Sequence, residues 1–568
     1  MITSEALAAG LARHGVDLTF SQCFPVRTQH VAPKYGIRQI GFRTENAGGA
    51  MADGYARVAR RIAVLAAQSG PAATLLVPPL AEAFKASVPI LAIIEESAKA
   101  EADRNAFQEF DHFALYASCS KWTRRVDRPD RLDDYLDMAI VHATAGRPGP
   151  VVLILPSDFM GEEAAISARR TTKLGHYPLD RLVPTPDRIR EAAAALAAAQ
   201  RPLIVAGGGV HSSDAAAEVV RLSELGAIPV ATTNMGKGAI DERSPLSLGV
   251  FGNCMGHGSS AQHLRSFAAE ADLVLLVGTR TNANGTANWT LFPPETRFIQ
   301  VDIDSCEIGR NYEALRLAGD AKATLAALLA TLSEKDFPNR AASYERVAKA
   351  TAEAREQSIT ILDEIGPGRQ GAVRPEHLMR TLDAILRPED IVCADASYST
   401  NWVSTFLHAR MTGARFLEPR GLAGLGWGFP MAMGAKLARP SANVFALVGD
   451  GGFAHCWSEL EAARRLNVKV VAIVLNNQIL GYQKHGEEWF LHHHSDASDL
   501  GPVDHAAIAR ACDCFGERVS SPQEFAPALE RALKDKRPGV IDVMTDDEAR
   551  PPLNQYMFRP GQAAVGDL

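Results

Sequence analysis

Two apolar runs in the last third of the chain decide its fold class: VFALVGDGGF (Val444–Phe453) and VKVVAIVLNN (Val468–Asn477). Each run stays apolar for several residues before it meets glycine or asparagine, as is typical of strands buried on both faces of a parallel sheet. The stretch between them, Glu459–Leu466, has an Ala-rich helical pattern. The sequence therefore predicts a strand–helix–strand unit, the element from which α/β folds are built.

Similar runs form three clusters along the 568 residues. The other predicted strands are Ile62–Ala67, Val88–Ile94 and Val151–Leu155 in the first cluster, Leu203–Ala206, Ile228–Thr232, Leu273–Val277 and Phe298–Asp302 in the second, and Ile391–Ala394 and Val540–Met544 in the third. We therefore expect an α/β protein with three domains, each a mainly parallel sheet flanked by helices. The expected boundaries are 1–172, 186–345 and 370–550, followed by a tail at 551–568.

The composition excludes several classes of protein. The net charge is -7, which argues against nucleic acid as an electrostatic partner because phosphate binding needs a basic face. No apolar run approaches the ~18 residues that span a bilayer, and the N-terminus has no signal-peptide pattern. The eight Cys form no CxxC pair, so neither a disulfide framework nor a zinc site is indicated. We expect a cytoplasmic enzyme without a membrane or nucleic-acid partner.

The strongest chemical signal lies where the two quoted runs end. Asp450 and Asn477 follow neighbouring predicted strands, and the carboxyl ends of such strands are where open α/β sheets bind ligands. A carboxylate, an amide oxygen and a backbone carbonyl are ligands suited to Mg²⁺. Gly449, Gly451 and Gly452 would let the backbone approach phosphates closely. The alternative is a strand-end turn in which Asp450 only caps the following helix.

This motif resembles the thiamine diphosphate motif of the acetolactate synthase and pyruvate decarboxylase superfamily. The resemblance implies a thiamine diphosphate-binding fold with a Rossmann-like middle domain, and Mg²⁺ held by Asp450, Asn477 and the carbonyl of Ile479.

The stretch GLAGLGWGFPMAMGA (Gly421–Ala435) is similar to that family's segment beneath the thiazolium ring. The remaining implied cofactor contacts are Ser397 and Tyr398 at the diphosphate, and Ala423 and Leu425 beneath the ring, where Leu425 would hold the cofactor bent.

The same family has an activating glutamate in its first domain. RTENA (Arg43–Ala47), followed by MADGYAR (Met51–Arg57), matches that pattern, which implies that Glu45 bonds the aminopyrimidine and favours the imino tautomer that deprotonates the thiazolium. Burial should raise the pKa of Glu45. Without the family pattern, a Glu at this place would be interpreted as a solvated helix cap.

Further resemblance concerns the substrate side and the assembly. AFQE (Ala106–Glu109) matches the same family, and implies that Gln108 hydrogen-bonds the intermediate or the incoming carbonyl; otherwise it is a surface amide. The resemblance also implies that Glu45 of one subunit faces Asp450 of another. The expected assembly is a homodimer or homotetramer with active sites at the dimer interface.

Some residues depart from the acetolactate synthase pattern. Pro25-Val26 is more similar to the acyl-CoA lyase and oxalyl-CoA decarboxylase branch. Arg27 is either a ligand for a substrate carboxylate or an exposed loop residue. The sequence assigns no role to three more residues near the motifs: His112, His455 and Cys456.

The middle domain has a weaker nucleotide signal. Gly207–Gly209 follows a predicted strand, and Asp302 ends another, where a carboxylate commonly bonds ribose hydroxyls. Arg280 is a second candidate ligand, although its segment differs from the acetolactate synthase flavin segment. The GxGxxG pattern is absent, so FAD, ADP and an empty pocket remain alternatives.

The leading hypothesis is a thiamine diphosphate- and Mg²⁺-dependent transferase or lyase similar to acetolactate synthase. Such an enzyme decarboxylates a 2-keto acid such as pyruvate and joins the product to a second 2-keto acid or an aldehyde. The alternatives are a 2-hydroxyacyl-CoA lyase or oxalyl-CoA decarboxylase, a flavin-dependent 2-keto acid oxidase, and a non-catalytic paralogue.

Overall fold

The computed structural model describes residues 1–164 and 171–556, so part of the predicted tail, 557–568, lies outside the described residues. Three six-stranded sheets form the centres of three domains. Every strand pair within these sheets is parallel, and helices flank each sheet. The predicted α/β class with three sheets is therefore confirmed.

The first sheet has the strand order β2-β1-β3-β4-β6-β5. Its strands are β1 Leu18–Phe20, β2 Arg38–Ile40, β3 Ala63–Gln68, β4 Ile90–Glu96, β5 Trp122–Arg125 and β6 Val151–Pro156. Its helices are α1 Thr3–Arg13, α2 Val26–Val31, α3 Glu45–Ala59, α4 Pro71–Thr74, α5 Val77–Ala86, α6 His112–Tyr116 and α7 Leu132–Thr144.

The middle sheet has the order β12-β11-β10-β7-β8-β9, the doubly wound arrangement of nucleotide-binding domains. Its strands are β7 Pro202–Ala206, β8 Val230–Thr232, β9 Ser247–Val250, β10 Leu273–Val277, β11 Arg297–Asp302 and β12 Ala314–Ala318. Its helices are α8 Pro186–Ala198, α9 Gly209–Ser213, α10 Ala216–Gly226, α11 Ser266–Ala269 and α12 Ala321–Thr331. A long helix, α13 Arg340–Ile365, and a short antiparallel hairpin, β13 Gly368–Arg369 and β14 Ala372–Val373, lead onward.

The third sheet has the order β16-β15-β17-β18-β20-β19. Its strands are β15 Ile391–Ala394, β16 Phe416–Leu417, β17 Val444–Gly449, β18 Val471–Asn476, β19 Phe515–Val519 and β20 Gly539–Met544. Its helices are α14 Pro375–Ile385, α15 Tyr398–Phe406, α16 Gly428–Ala438, α17 Asp450–Phe453, α18 Glu459–Leu466, α19 Gly481–Leu491, α20 His505–Ala511 and α21 Phe525–Lys534.

Each predicted strand overlaps an observed one, but three of them begin two or three residues later than predicted. Val88, Ile228 and Val468 each follow a residue with left-handed backbone and donate a hydrogen bond back to the preceding helix. These three apolar residues therefore belong to the C-terminal caps of the preceding helices, where a hydrophobic contact is common. Each strand starts two or three residues later. Periodicity alone does not separate such a residue from the strand that it precedes.

The first and third domains share one apolar core, in which α3 crosses α16. The backbones approach closely because glycines lie at the crossing: a Cβ on Gly54 would come within 2.1 Å of the Met431 carbonyl oxygen, and one on Gly434 within 1.9 Å of the Met51 carbonyl oxygen. This contact fixes how the first and third domains of one chain face each other. None of the described helices combines the length and the apolar character that crossing a bilayer would need.

Candidate active site

The predicted metal ligands converge at the carboxyl edge of the third sheet. Strands β17 and β18 are direct neighbours, with Gly449 opposite Leu475, so Asp450 and Asn477 leave the sheet side by side. The Asp450 carboxylate accepts hydrogen bonds from the backbone N–H of Gly451 at 2.9 Å and of Gln478 at 2.7 Å. Burial raises the pKa of Asp450 to about 6. Asp450, Asn477 and Ile479 line one cavity together.

The glycines of the motif have different surroundings. Gly449 and Gly452 line the same cavity as Asp450. Gly451 lies instead against Leu480, whose side chain is 2.7 Å from the place where a Cβ would stand. At Gly452 a Cβ would lie 2.2 Å from the Asp395 carboxylate. The sharp turn after β17 therefore needs glycine at 451 and 452 for packing as well as for access.

The other predicted cofactor contacts also line this cavity: Ser397, Tyr398, Ala423 and Leu425. Ser397 and Ala423 have left-handed backbones, with φ of 65° and 62°. Non-glycine residues adopt such backbone at a cost, and strain of this kind is concentrated at binding sites.

A residue that was not predicted as a ligand organises the loop before α16. The fully buried Asp395 carboxylate accepts the backbone N–H of Gly426 at 3.0 Å and of Trp427 at 3.1 Å. Asp395 begins the turn after β15, so one carboxylate joins the two loops that carry Ser397 and Leu425. A polar residue directly after a buried strand was the available signal in the sequence.

Glu45 is the first residue of α3, whose N-cap Thr44 accepts the Ala47 N–H. Its side chain is half-buried, and burial raises the pKa of its carboxyl group. The backbone N–H of Glu45 itself donates a hydrogen bond to this carboxylate, and no other described residue does. The cavity around Asp450 is lined by middle- and third-domain residues, and no described first-domain residue is among them. One chain therefore does not bring Glu45 to Asp450.

Gln108 is held in a strained loop beside a glycine turn. Its backbone φ is 62°, and its carbonyl oxygen accepts the Ser69 hydroxyl at 2.6 Å. Gly70 is required here, because a Cβ would lie 2.8 Å from the Gln108 Cβ. The Gln108 Oε1 atom is buried without a hydrogen-bond partner in the described structure. An orphaned buried acceptor of this kind is costly unless a ligand supplies the partner.

The residues without an assigned role have distinct environments. His112 is buried, with Nδ1 at 3.2 Å from Glu96 and Nε2 at 3.5 Å from the Gly70 nitrogen, so it supports the turn that faces Gln108. Arg27 is exposed and has no ion-pair partner within the described part of the chain. Cys456 is buried, and His455 packs against Gly426.

A second cavity lies at the carboxyl edge of the middle sheet. Its lining includes the Gly208-Gly209 turn, Arg280 and Asp302, which the sequence had singled out. Burial raises the pKa of Asp302 to about 6 and lowers the pKa of Arg280. Arg420 and Asn284 line both this cavity and the one around Asp450. The two cavities are therefore adjacent.

Comparison with known proteins agrees with this geometry. Three family models match successive parts of the chain: the thiamine pyrophosphate enzyme N-terminal TPP-binding domain at residues 1–115, the central domain at 189–328, and the C-terminal TPP-binding domain at 395–543.

Three full-length relatives are also similar. A probable acetolactate synthase large subunit of Methanocaldococcus jannaschii is 32% identical over 97% of this chain and 93% of its own length. An acetolactate synthase of Mycobacterium bovis is 30% identical over 96% of this chain and 88% of its own length. An acetolactate synthase large subunit of Parasynechococcus marenigrum is 31% identical over 95% of this chain and 87% of its own length. The chain therefore belongs to the thiamine pyrophosphate enzymes and is an acetolactate synthase-like member of that family.

Proposed function

We propose that this protein is a thiamine diphosphate- and Mg²⁺-dependent carboligase of the acetolactate synthase type. It would decarboxylate a 2-keto acid such as pyruvate and transfer the two-carbon unit to a second carbonyl compound. The observation that carries the proposal is the cavity at the ends of β17 and β18, where Asp450, Asn477 and Leu425 converge.

The donor set around Asp450 fits Mg²⁺. Mg²⁺ is bound in proteins through one or two carboxylates together with phosphate oxygens and water. Asp450 supplies one carboxylate, and Asn477 and Ile479 add an amide oxygen and a carbonyl on the same cavity wall. No described Lys, Arg or His lies within ion-pair distance of Asp450, and burial raises its pKa to about 6. A bound divalent cation would compensate this charge and favour the ionised carboxylate.

The residues around the cavity also fit a diphosphate cofactor. The turn residues Gly449 and Gly452 leave backbone exposed to the cavity, and Leu425 presents an apolar side chain beside Gly452. When bound, thiamine diphosphate supplies an electron sink that accepts the electron pair released from a 2-keto acid. The protein's own part is to hold this group, exclude water and manage protons.

Glu45 is the proposed catalytic acid–base group. Its raised pKa, and the lack of a hydrogen-bond donor from any other described residue, suit a group that shares a proton with a ligand. Gln108, with its buried and unpaired Oε1, is proposed to contact the reacting substrate. Both side chains lie at the carboxyl edge of the first sheet, which in one chain is separate from the Asp450 cavity.

A second copy of the chain is proposed to complete the site. Large apolar side chains are exposed on both surfaces concerned: Phe107, beside Gln108, is 83% exposed, and Leu422, beside Ala423, is 57% exposed. Apolar side chains exposed beside both proposed half-sites are consistent with an interface that covers them. In a homodimer, or a homotetramer built from such dimers, Glu45 of one subunit would serve the Asp450 cavity of the other.

We infer that the middle cavity holds an adenine nucleotide, either FAD or ADP. Asp302 would bond ribose hydroxyls, the free Arg280 guanidinium would meet a phosphate, and the Gly208-Gly209 turn allows the close approach that phosphates need. Denaturing the purified protein and identifying the released nucleotide by chromatography tests this inference. Release of no nucleotide, together with no binding of added FAD or ADP, would contradict it.

The proposed reaction can be tested directly. Purified protein with thiamine diphosphate, Mg²⁺ and pyruvate should release CO₂ and form acetolactate, and chelation of Mg²⁺ should abolish both. Other 2-keto acids and 2-hydroxyacyl-CoA thioesters should be assayed in parallel. Cleavage of the thioesters without turnover of any 2-keto acid would overturn the proposal in favour of a lyase.

A further inference from the structure

A buried carboxylate of the third domain holds the backbone directly before Glu45. Glu459 is the first residue of α18 and is fully buried. Its Oε1 atom accepts the backbone N–H of Arg43 at 3.1 Å and of Thr44 at 3.0 Å, and its Oε2 atom accepts the Arg43 N–H at 3.1 Å. Thr44 is the N-cap of the helix that begins with Glu45. The position of Glu45 is thus tied to the third domain of its own chain.

Acidic residues in a first helical turn usually stay in solvent and interact with the helix dipole. Glu459 instead turns away from α18 and into the first domain, where it satisfies two donors that precede α3. Burying a carboxylate is unfavourable unless hydrogen bonds compensate the lost hydration. The orientation of Glu459 is therefore explained by what it holds in the first domain.

The first domain carries a reciprocal contact. Glu82, on α5, is 1% exposed, and its carboxylate accepts the backbone N–H groups of Gly421 at 2.6 Å, Leu422 at 2.6 Å and Ala423 at 3.3 Å. This loop leads to Leu425 in the proposed cofactor cavity. Each of the two domains thus has one buried carboxylate that holds a segment of the other domain's proposed half-site.

We propose that Glu459 and Glu82 are positioning residues: Glu459 sets Glu45, and Glu82 sets the loop that carries Ala423 and Leu425. The inference rests on the proposed function, since it assigns Glu45 and Leu425 to the reaction. Both contacts lie within one chain, whereas the proposed site combines Glu45 and Leu425 from two chains. Each chain thus contributes Glu45 to one site of the dimer and Leu425 to the other. The two carboxylates fix the position of these two contributions relative to each other.

The test compares Glu459→Ala, Glu459→Gln and Glu45→Gln in the assembled holoenzyme. The readouts are the hydrogen–deuterium exchange rate at the thiazolium carbon of bound thiamine diphosphate and the dissociation constant of that cofactor. Glu459→Ala should slow exchange roughly 10- to 100-fold, as expected for misplacing a reacting group, with cofactor affinity unchanged. Glu459→Gln keeps an oxygen in the Oε1 position, which accepts both N–H groups, but places an amide NH₂ against the Arg43 N–H in the Oε2 position. Its exchange rate should therefore lie between those of wild type and Glu459→Ala.

Glu530→Ala is the matched control. Glu530 lies on α21 of the same domain, is exposed and pairs with Lys534, so its loss should leave exchange unchanged. Glu82→Ala should act on the other readout: it should weaken cofactor binding, while exchange in the cofactor-saturated enzyme stays close to wild type.

The outcomes separate this inference from the proposed function. If Glu45→Gln is slow but Glu459→Ala exchanges at the wild-type rate, the inference is wrong and the role of Glu45 stands. If Glu45→Gln itself exchanges normally, the proposed function is wrong. Should Glu459→Ala fail to fold, Glu459→Asp, which is too short to reach both N–H groups, is compared with Glu459→Gln. Slower exchange in the Asp variant supports the inference, and equal rates overturn it.

Discussion

The first and third domains have sheets of the same design but different chemistry at their edges. Counted within each domain, both sheets have the order second, first, third, fourth, sixth, fifth strand. The third sheet ends in Asp450 and Asn477, which line a cavity, whereas the first sheet's edge carries Glu45 and Gln108, of which Gln108 has a buried Oε1 atom without a partner among the described residues. The same architecture thus supplies two half-sites, and the loops after the strands decide which half each one is.

The α3–α16 contact explains why the halves do not meet within one chain. It joins the two domains through helices in a shared core, and the Asp450 cavity receives no described first-domain residue. The comparison therefore predicts that changes at the cavity residues of the third domain affect cofactor binding, while changes at Glu45 and Gln108 affect chemistry on a bound cofactor.

The largest effect is expected at the third domain's half-site. Asp450→Ala removes the only carboxylate among the proposed ligands, so Mg²⁺ and diphosphate binding should be lost and activity should fall roughly 10⁴-fold or more. Titration calorimetry with thiamine diphosphate and Mg²⁺ measures the binding. Unchanged cofactor affinity would contradict the assignment of this half-site.

The first domain should respond in the opposite way. Glu45→Gln keeps the size of the side chain but loses the carboxylate, so cofactor affinity should persist while deuterium exchange at the thiazolium carbon slows by roughly 10²–10⁴-fold. NMR of the cofactor after acid quench measures this step apart from later chemistry. A wild-type exchange rate would mean that another group activates the cofactor.

A smaller effect is expected at Leu425, which is proposed to contact the cofactor through an apolar side chain and not through the metal or the diphosphate. Leu425→Ala removes apolar contact from the cavity and should weaken cofactor binding by roughly 10- to 100-fold. Activity at saturating cofactor should fall less than in Glu45→Gln. An affinity equal to that of wild type would show that Leu425 does not touch the cofactor.

Mixing the two inactive variants tests the pairing itself. In hybrid dimers of Glu45→Gln and Asp450→Ala subunits, one site of each hybrid combines both intact residues, so about one quarter of all sites should recover. Subunit exchange is followed separately with differently tagged chains. Full exchange without recovered activity would place Glu45 and Asp450 in the same chain's site, or in none.

The smallest expected effect is on pH dependence. Burial raises the pKa of Glu45 above its ordinary value of 4.5, so the ionised form is lost earlier as the pH falls. The exchange rate should decline through an acid limb whose midpoint lies above 4.5, and Glu45→Gln should lack this limb. An acid limb that persists in Glu45→Gln would assign the titration to another group.

Much of the fold was predictable because buried parallel strands are apolar along their whole length. The central strands β10, β15 and β17 were found in this way, as was helix α18. In the three large sheets, seven strands were not predicted, because they are short or lie at sheet edges: β1, β2, β5, β9, β12, β16 and β19. Edge strands depend on pairing with a neighbour and have little periodic signal of their own.

The sequence alone determined which residues stand at the ends of the central strands, and with them the candidate ligands Asp450 and Asn477, since a short motif on adjacent strands needs no distant contact. Only the tertiary structure decided that Glu45 does not line the cavity around Asp450, and that Glu82, Asp395 and Glu459 are buried. On a predicted helix a glutamate appears solvated, because helical periodicity does not reveal which distant backbone N–H groups a second domain will bring to it. Those contacts join residues hundreds of positions apart, and they form only when the three sheets have packed.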